Sequence, residues 1–122
     1  RRRRLAAKAA AKLAPGKIGL LLHLDGGAAE VRALAQMIDN GTANPEENIN
    51  EDELRNLLKD ALRTLPEREA LVIQLYYVEE LNVYEIAEVL EVTTGRVSQI
   101  KKSAIGSLRH FLGEREALVL KG

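Results

Sequence analysis

Residues 65–112 read LPEREALVIQLYYVEELNVYEIAEVLEVTTGRVSQIKKSAIGSLRHFL, and the fold turns on how this stretch is parsed. Val83, Ile86, Ala87 and Leu90 fall at i, i+3, i+4 and i+7, the spacing that lines one face of a short helix. After the tight connection Glu91–Val92–Thr93, a second helix keeps Val97, Ile100, Ala104, Leu108 and Phe111 within an apolar stripe of about 100°. Two amphipathic helices joined so closely predict a helix-turn-helix.

The opposite face of the second helix carries Gly95, Ser98, Gln99, Lys102, Gly106 and Arg109, flanked by Arg96 and Lys101. None of these is a good core residue, but together they suit a helix entering the major groove. Small residues allow close approach, an amide can make a bidentate pair with a base edge, and cations neutralise phosphates. Thr93 and Thr94 can cap the helix start, where free N–H groups favour a phosphate.

The segments LPEREALVIQLYYVEELN, EIAEVLEV and RVSQIKKSAIGSLR, in that order and spacing, resemble region 4 of bacterial sigma-70-type initiation factors, most closely the flagellar and developmental class. The resemblance covers about residues 51–112 and implies a four-helix domain that binds the upstream (−35) element of double-stranded promoter DNA and docks on the flap of core RNA polymerase. By motif position it implies that Thr94, Gly95, Ser98 and Gln99 face base edges. It also implies that Asn82 and Val83, at the start of the first helix, and Arg68, in the helix before it, approach the backbone. Housekeeping members carry an Arg–Glu pair where this chain has Thr94–Gly95, so a different element is expected. Glutamine pairs best with adenine, which points to an A/T-rich site. An anti-sigma factor is a partner the resemblance admits.

Around this stretch, 122 residues with 46% apolar content can form one compact core, or a core with a loosely attached arm. Tryptophan is absent and only Tyr76, Tyr77, Tyr84 and Phe111 are aromatic, so the core must be aliphatic, as packed helices allow. With no cysteine there is neither a disulfide framework nor a thiolate metal site, as expected in a reducing cytoplasm. The zero net charge hides segregation: residues 1–25 carry seven cations against one anion, residues 94–122 six against two. Between them, residues 26–69 carry five against ten, and residues 70–93 carry five anions and no cation. Nucleic acid is expected at the basic ends, with the acidic middle facing polymerase, solvent or those ends.

The chain begins at Arg1, without an initiator Met, and is expected to be a piece of a longer product. Arg1 to Leu13 (RRRRLAAKAAAKL) is a good helix former by propensity, ended by Pro15–Gly16. A basic arm lying on nucleic acid and a solvated helix end describe it equally well. It lacks the apolar run and cleavage site of a secretory signal. Gly16–Lys17 fails as a phosphate loop, because Ala11 and Ile18 stand where glycine and a hydroxyl residue are needed.

Ile18 to Leu24 reads as a buried helix or a partner-facing patch, far short of the roughly 20 residues that span a bilayer. His23 and Asp25 are the only pair here suggesting acid–base chemistry, and nothing nearby completes a catalytic constellation. Val31, Leu34, Ala35 and Ile38 then form a helical stripe that stops at Asn40–Gly41.

Residues 1–41 are thus taken as a basic helical segment without an assigned origin, 42–50 as a linker, and 51–122 as the DNA-binding domain. Asn50 should cap a helix bearing Leu54, Leu57, Leu58, Ala61, Leu62 and Leu65, and Pro66 should open the next. That helix contains LVIQLYYV, which by composition could pass for a strand, but Leu71, Leu75 and Val78 keep helical spacing. Tyr76 and Tyr77 read as core or polymerase-facing rather than base-stacking. Glu85 or Glu88 is expected to pair with Arg96, and Gly113 to end the last helix.

The expectation is an all-α, compact helical domain with a C-terminal helix-turn-helix, acting as the promoter-recognition module of a sigma factor. No catalytic residue, metal site, cofactor or membrane partner is expected. The alternative is an independent helix-turn-helix regulator, which would need a two-fold interface and half-sites about one DNA turn apart.

Overall fold

The computed structural model describes residues 16–39 and 50–121, all of whose regular elements are helical. In chain order these are α1 (Lys17–Leu24), α2 (Ala28–Asp39), α3 (Glu51–Arg63), α4 (Glu67–Ile73, continued by a π-helical turn over Gln74–Val78), α5 (Val83–Leu90) and α6 (Thr94–Lys121). The Arg1–Leu13 helix, the Asn40–Gly41 cap and the linker up to Ile49 lie outside the described residues.

Asn50 caps α3 as its sequence implies. Its side-chain oxygen accepts from the Glu53 N–H at 2.8 Å, while its amide donates to the Glu53 carboxylate at 2.7 Å. Leu54, Leu58, Ala61, Leu62 and Leu65 are buried, and Leu57 is half-buried at the edge of the stripe. Pro66 sits one position earlier than expected. With ψ at 147° it is extended, so it precedes the helix and Glu67 is the first helical residue. LVIQLYYV is helical, but it widens to π geometry where the Glu79 N–H reaches the Gln74 carbonyl at 3.2 Å.

Apolar side chains form two clusters. Leu20 and Leu24 of α1 and Val31, Leu34 and Ile38 of α2 join Leu58, Leu62 and Leu65 around α3, Ala70 and Ile73 of α4, and Ala104 and Leu108 of α6. The second cluster holds Val72 and Leu75 of the α4 segment, Leu81, Ile86 and Ala87 around α5, and Val97 and Ile100 of α6. The segments 1–41 and 51–122, kept apart in the sequence reading, therefore share one core through residues 17–39. Ile18 to Leu24 has two faces, because Ile18 and Leu22 remain 58% and 60% exposed.

Three helix C-termini are each met by a cation from a neighbouring helix, which satisfies carbonyls that have no partner within their own helix. The Arg55 Nε donates to Leu24 O of α1 at 3.0 Å, the Lys17 Nζ to Arg63 O of α3 at 3.1 Å, and the Arg109 Nε to Ile38 O of α2. His23 and Asp25 do not form an acid–base pair. His23 packs edge-on against Tyr77, with ring centroids 5.2 Å apart, and Asp25 is ion-paired with Lys59.

Gly16–Lys17 is a structural junction. Gly16, at φ 58° and ψ −118°, occupies backbone space that suits glycine, and its N–H donates to the buried Gln74 side chain at 2.7 Å. Gly113 does not end the last helix, which runs through it to Lys121. Its φ is not positive, and the following Glu-Arg-Glu-Ala-Leu residues are strong helix formers that offset the roughly 1 kcal/mol cost of one interior glycine.

Candidate nucleic-acid interface

Asn82 starts α5 with a reciprocal capping box: its side chain accepts from the Glu85 N–H at 2.8 Å, and the Glu85 carboxylate accepts from the Asn82 N–H at 3.1 Å. Glu85 is therefore engaged in that cap instead of in the ion pair expected with Arg96. The helix ends at Glu91 in the left-handed region, φ 58° and ψ 44°, and the Val92 N–H returns to Ala87 O at 3.0 Å. Thr93 then caps α6, its hydroxyl accepting from the Arg96 N–H at 3.1 Å. Left-handed residue, return bond and threonine cap together turn the chain within three residues.

The aliphatic side of α6 is clamped along its length. Val97 and Ile100 are buried against α4 and α5, and Ala104 and Leu108 against α2, α3 and α4. Opposite them, Thr94, Gly95, Arg96, Ser98, Gln99, Lys102, Gly106 and Arg109 are exposed. A side chain at Gly95 would approach only the Thr93 hydroxyl, at 4.0 Å, and one at Gly106 nothing within 4 Å. The fold thus has no steric need for either glycine, and both leave the outer face low.

Other residues singled out in the sequence are distributed around this face. Arg68 is exposed in the first turn of α4, and Thr93 is exposed at the cap. Val83 is half-buried and, with Ser98, Lys101, Lys102, Ile105, Gly106 and Arg109, lines a groove of about 470 Å³ along α6. Lys101 is also half-buried: its ammonium lies 3.6 Å from the centroid of the Tyr76 ring, a cation–π contact. Tyr77 donates its hydroxyl to Glu30 O at 2.8 Å, so both tyrosines serve packing, as their apolar surroundings implied.

Residues 61–110 match the family model described as sigma-70, region 4. This segment is a sigma-70 region 4. The chain is 49% identical over 76 residues to the RNA polymerase sigma factor FliA of Escherichia coli K12, an overlap of 62% of this chain and 32% of that protein. It is 52% identical over 71 residues to the FliA of Salmonella typhimurium (58% and 30%), and 42% identical over 74 residues to the RNA polymerase sigma-D factor of Bacillus subtilis (61% and 29%). The chain spans about a third of the length of these curated relatives. No solved structure matches.

Every candidate DNA-contact residue, from Arg68 to Lys102, falls inside the matched segment, whereas α1, α2 and most of α3 precede it. Two features beside this face carry little or no signal in the sequence. Tyr84, next to the α5 cap, is 76% exposed, and its only sequence signal is an aromatic outside the apolar stripe. Arg109 was placed on the outer face, but its bond to α2 had no local signal. Among the described residues, no helix is long and apolar enough to cross a membrane, and no three His, Cys, Asp or Glu side chains are grouped to hold a metal.

Proposed function

We propose that this chain is the promoter-recognition module of an alternative sigma factor of the flagellar class, with residues 51–122 as its DNA-binding domain. In this reading Thr94, Gly95, Ser98 and Gln99 face base edges of the −35 element. Thr93, Arg96, Lys101, Lys102, Asn82, Val83 and Arg68 meet the sugar–phosphate backbone. The module acts in the cytoplasm, docked on the flap of core RNA polymerase, with an anti-sigma factor as a further candidate partner. The observation carrying the proposal is the division of α6: an aliphatic back buried in two clusters and a polar, low-profile front. Base reading needs that rigidity, because a bidentate amide–adenine pair discriminates by about 1–3 kcal/mol only when the amide is held in register.

Few cations reach phosphate, so the module alone should bind weakly and gain affinity from tethering to polymerase. Footprinting with and without core polymerase tests this. Protection of an asymmetric upstream element only in the presence of polymerase is expected, whereas tight binding to a palindrome by the chain alone would mark an independent regulator. Within that assay, Gln99→Ala should lose affinity selectively at one or two positions, by about tenfold for a discrimination near 1.4 kcal/mol. An equal loss on every sequence would remove Gln99 from base reading.

A further inference from the structure

The groove beside α6 has three cations and no carboxylate along its lining: Lys101, Lys102 and Arg109, with Ser98 at one end and Gly106 between. From Ser98 to Arg109 it follows about 16 Å of helix at 1.5 Å per residue, well past the turn that reads bases. Two of its cations are positioned by the body of the protein. The Tyr76 ring holds the Lys101 ammonium at 3.6 Å, and the Ile38 carbonyl, in the last turn of α2, accepts from the Arg109 Nε. Since a helix C-terminus leaves its last four carbonyls without partners and carries partial negative charge, this bond fixes the guanidinium while leaving its other N–H groups available in kind for an anion. At Gly106 no atom lies within 4 Å of where a Cβ would stand, so the groove floor is open to a sugar–phosphate chain.

We infer that this groove binds a phosphodiester strand and that α2, which precedes the matched region 4 segment, is a positioning element for it, acting through the Ile38 carbonyl on Arg109. The inference rests on the DNA-binding reading above and extends it to contacts that are blind to sequence. Because α2 orients Arg109 and Arg109 holds DNA, the coupling is reciprocal: bound DNA must in turn hold α2 in place.

The test uses the full 122-residue chain, alone and with core polymerase, and a short duplex of scrambled sequence. Arg109→Gln should lower the slope of log affinity against log salt by about 0.9, as should Lys102→Gln. Arg109→Lys should keep the slope yet bind more weakly, because a lysine lacks the Nε that meets Ile38. The deciding readout is amide hydrogen exchange over residues 28–39. Exchange should slow when duplex is added to the unmodified chain and to Lys102→Gln, and should not slow in Arg109→Gln. An unchanged slope in Arg109→Gln with duplex binding intact overturns the groove alone. Exchange that is indifferent to DNA, or faster with it, overturns the role of α2. Failure of the unmodified chain to bind any duplex in either form sinks the DNA-binding reading and this inference together.

Discussion

Among the described residues, the cluster that joins α1, α2 and α3 to the middle of α6 contains fifteen buried side chains, while the one behind the helix-turn-helix contains seven. Size makes burial the main hold on the first, at roughly 25 cal/mol for each Å² of apolar surface removed from water, with cations bonding three of its helix ends. The second compensates with backbone devices: the capping box at Asn82, the left-handed Glu91, the Thr93 cap and the π-helical turn before α5. Since α6 runs through both clusters, the larger one anchors the helix and the smaller one aims its first turns.

The largest effect is therefore expected in the larger cluster. Leu58 is fully buried on α3, and Leu58→Ala should cost about 2–5 kcal/mol in urea denaturation, the range for a leucine truncated where neighbours cannot collapse. A loss below 1 kcal/mol would mean that α1 and α2 contribute little to this core. Gly16→Ala comes next. Its φ of 58° is unfavourable for any other residue, and a Cβ there would stand 1.9 Å from the Glu67 carboxylate, which already accepts from the Lys17 N–H at 3.2 Å. Backbone strain plus one lost hydrogen bond predicts about 1–3 kcal/mol, with faster hydrogen exchange confined to residues 17–39. In the smaller cluster, Thr93→Ala should cost about 1 kcal/mol by removing the α6 cap, and should weaken duplex binding in the same preparation. Lost binding with unchanged stability would assign Thr93 to DNA contact instead of capping.

The same contrast governs what could be read from the sequence. The stripe Val97, Ile100, Ala104 and Leu108 was legible because burial on a helix recurs with the helical period, and the Asn50 and Thr93 caps were legible because caps are local. Links between distant segments leave no such trace. Gly16 meets Gln74 across 58 residues and Arg109 meets Ile38 across 71, so neither the docking of the first two helices nor the engagement of Arg109 could be inferred from periodicity. Local reasoning also failed at Gly113, where propensity on both sides outweighed one glycine, and gave no sign of Glu91, which takes a left-handed conformation without being glycine. The outer face of α6 was legible by subtraction, as the residues unsuited to a core.

The smallest effect at neutral pH concerns the hydroxyl that ties the two halves of the larger cluster. Tyr77 donates to Glu30 O of α2 at 2.8 Å, and Tyr77→Phe should cost about 0.5–1 kcal/mol at pH 7. Burial, reinforced by the Glu30 carboxylate, pushes the Tyr77 pKa above the ordinary tyrosine value, against a backbone hydrogen bond at Leu34 that lowers it. Below that ordinary value, near about 10, both folded and unfolded chains keep the proton and stability does not respond to it. As pH rises through it, the unfolded chain ionises first and binds fewer protons than the folded one, so stability falls until the raised folded-state pKa is passed. Urea denaturation between pH 8 and about 11.5 should therefore show a decline that is shallower in Tyr77→Phe than in the unmodified chain. Equal declines would show that this hydroxyl stays solvated and that α2 is held by its apolar face and the Arg109 bond to Ile38 O without help from Tyr77.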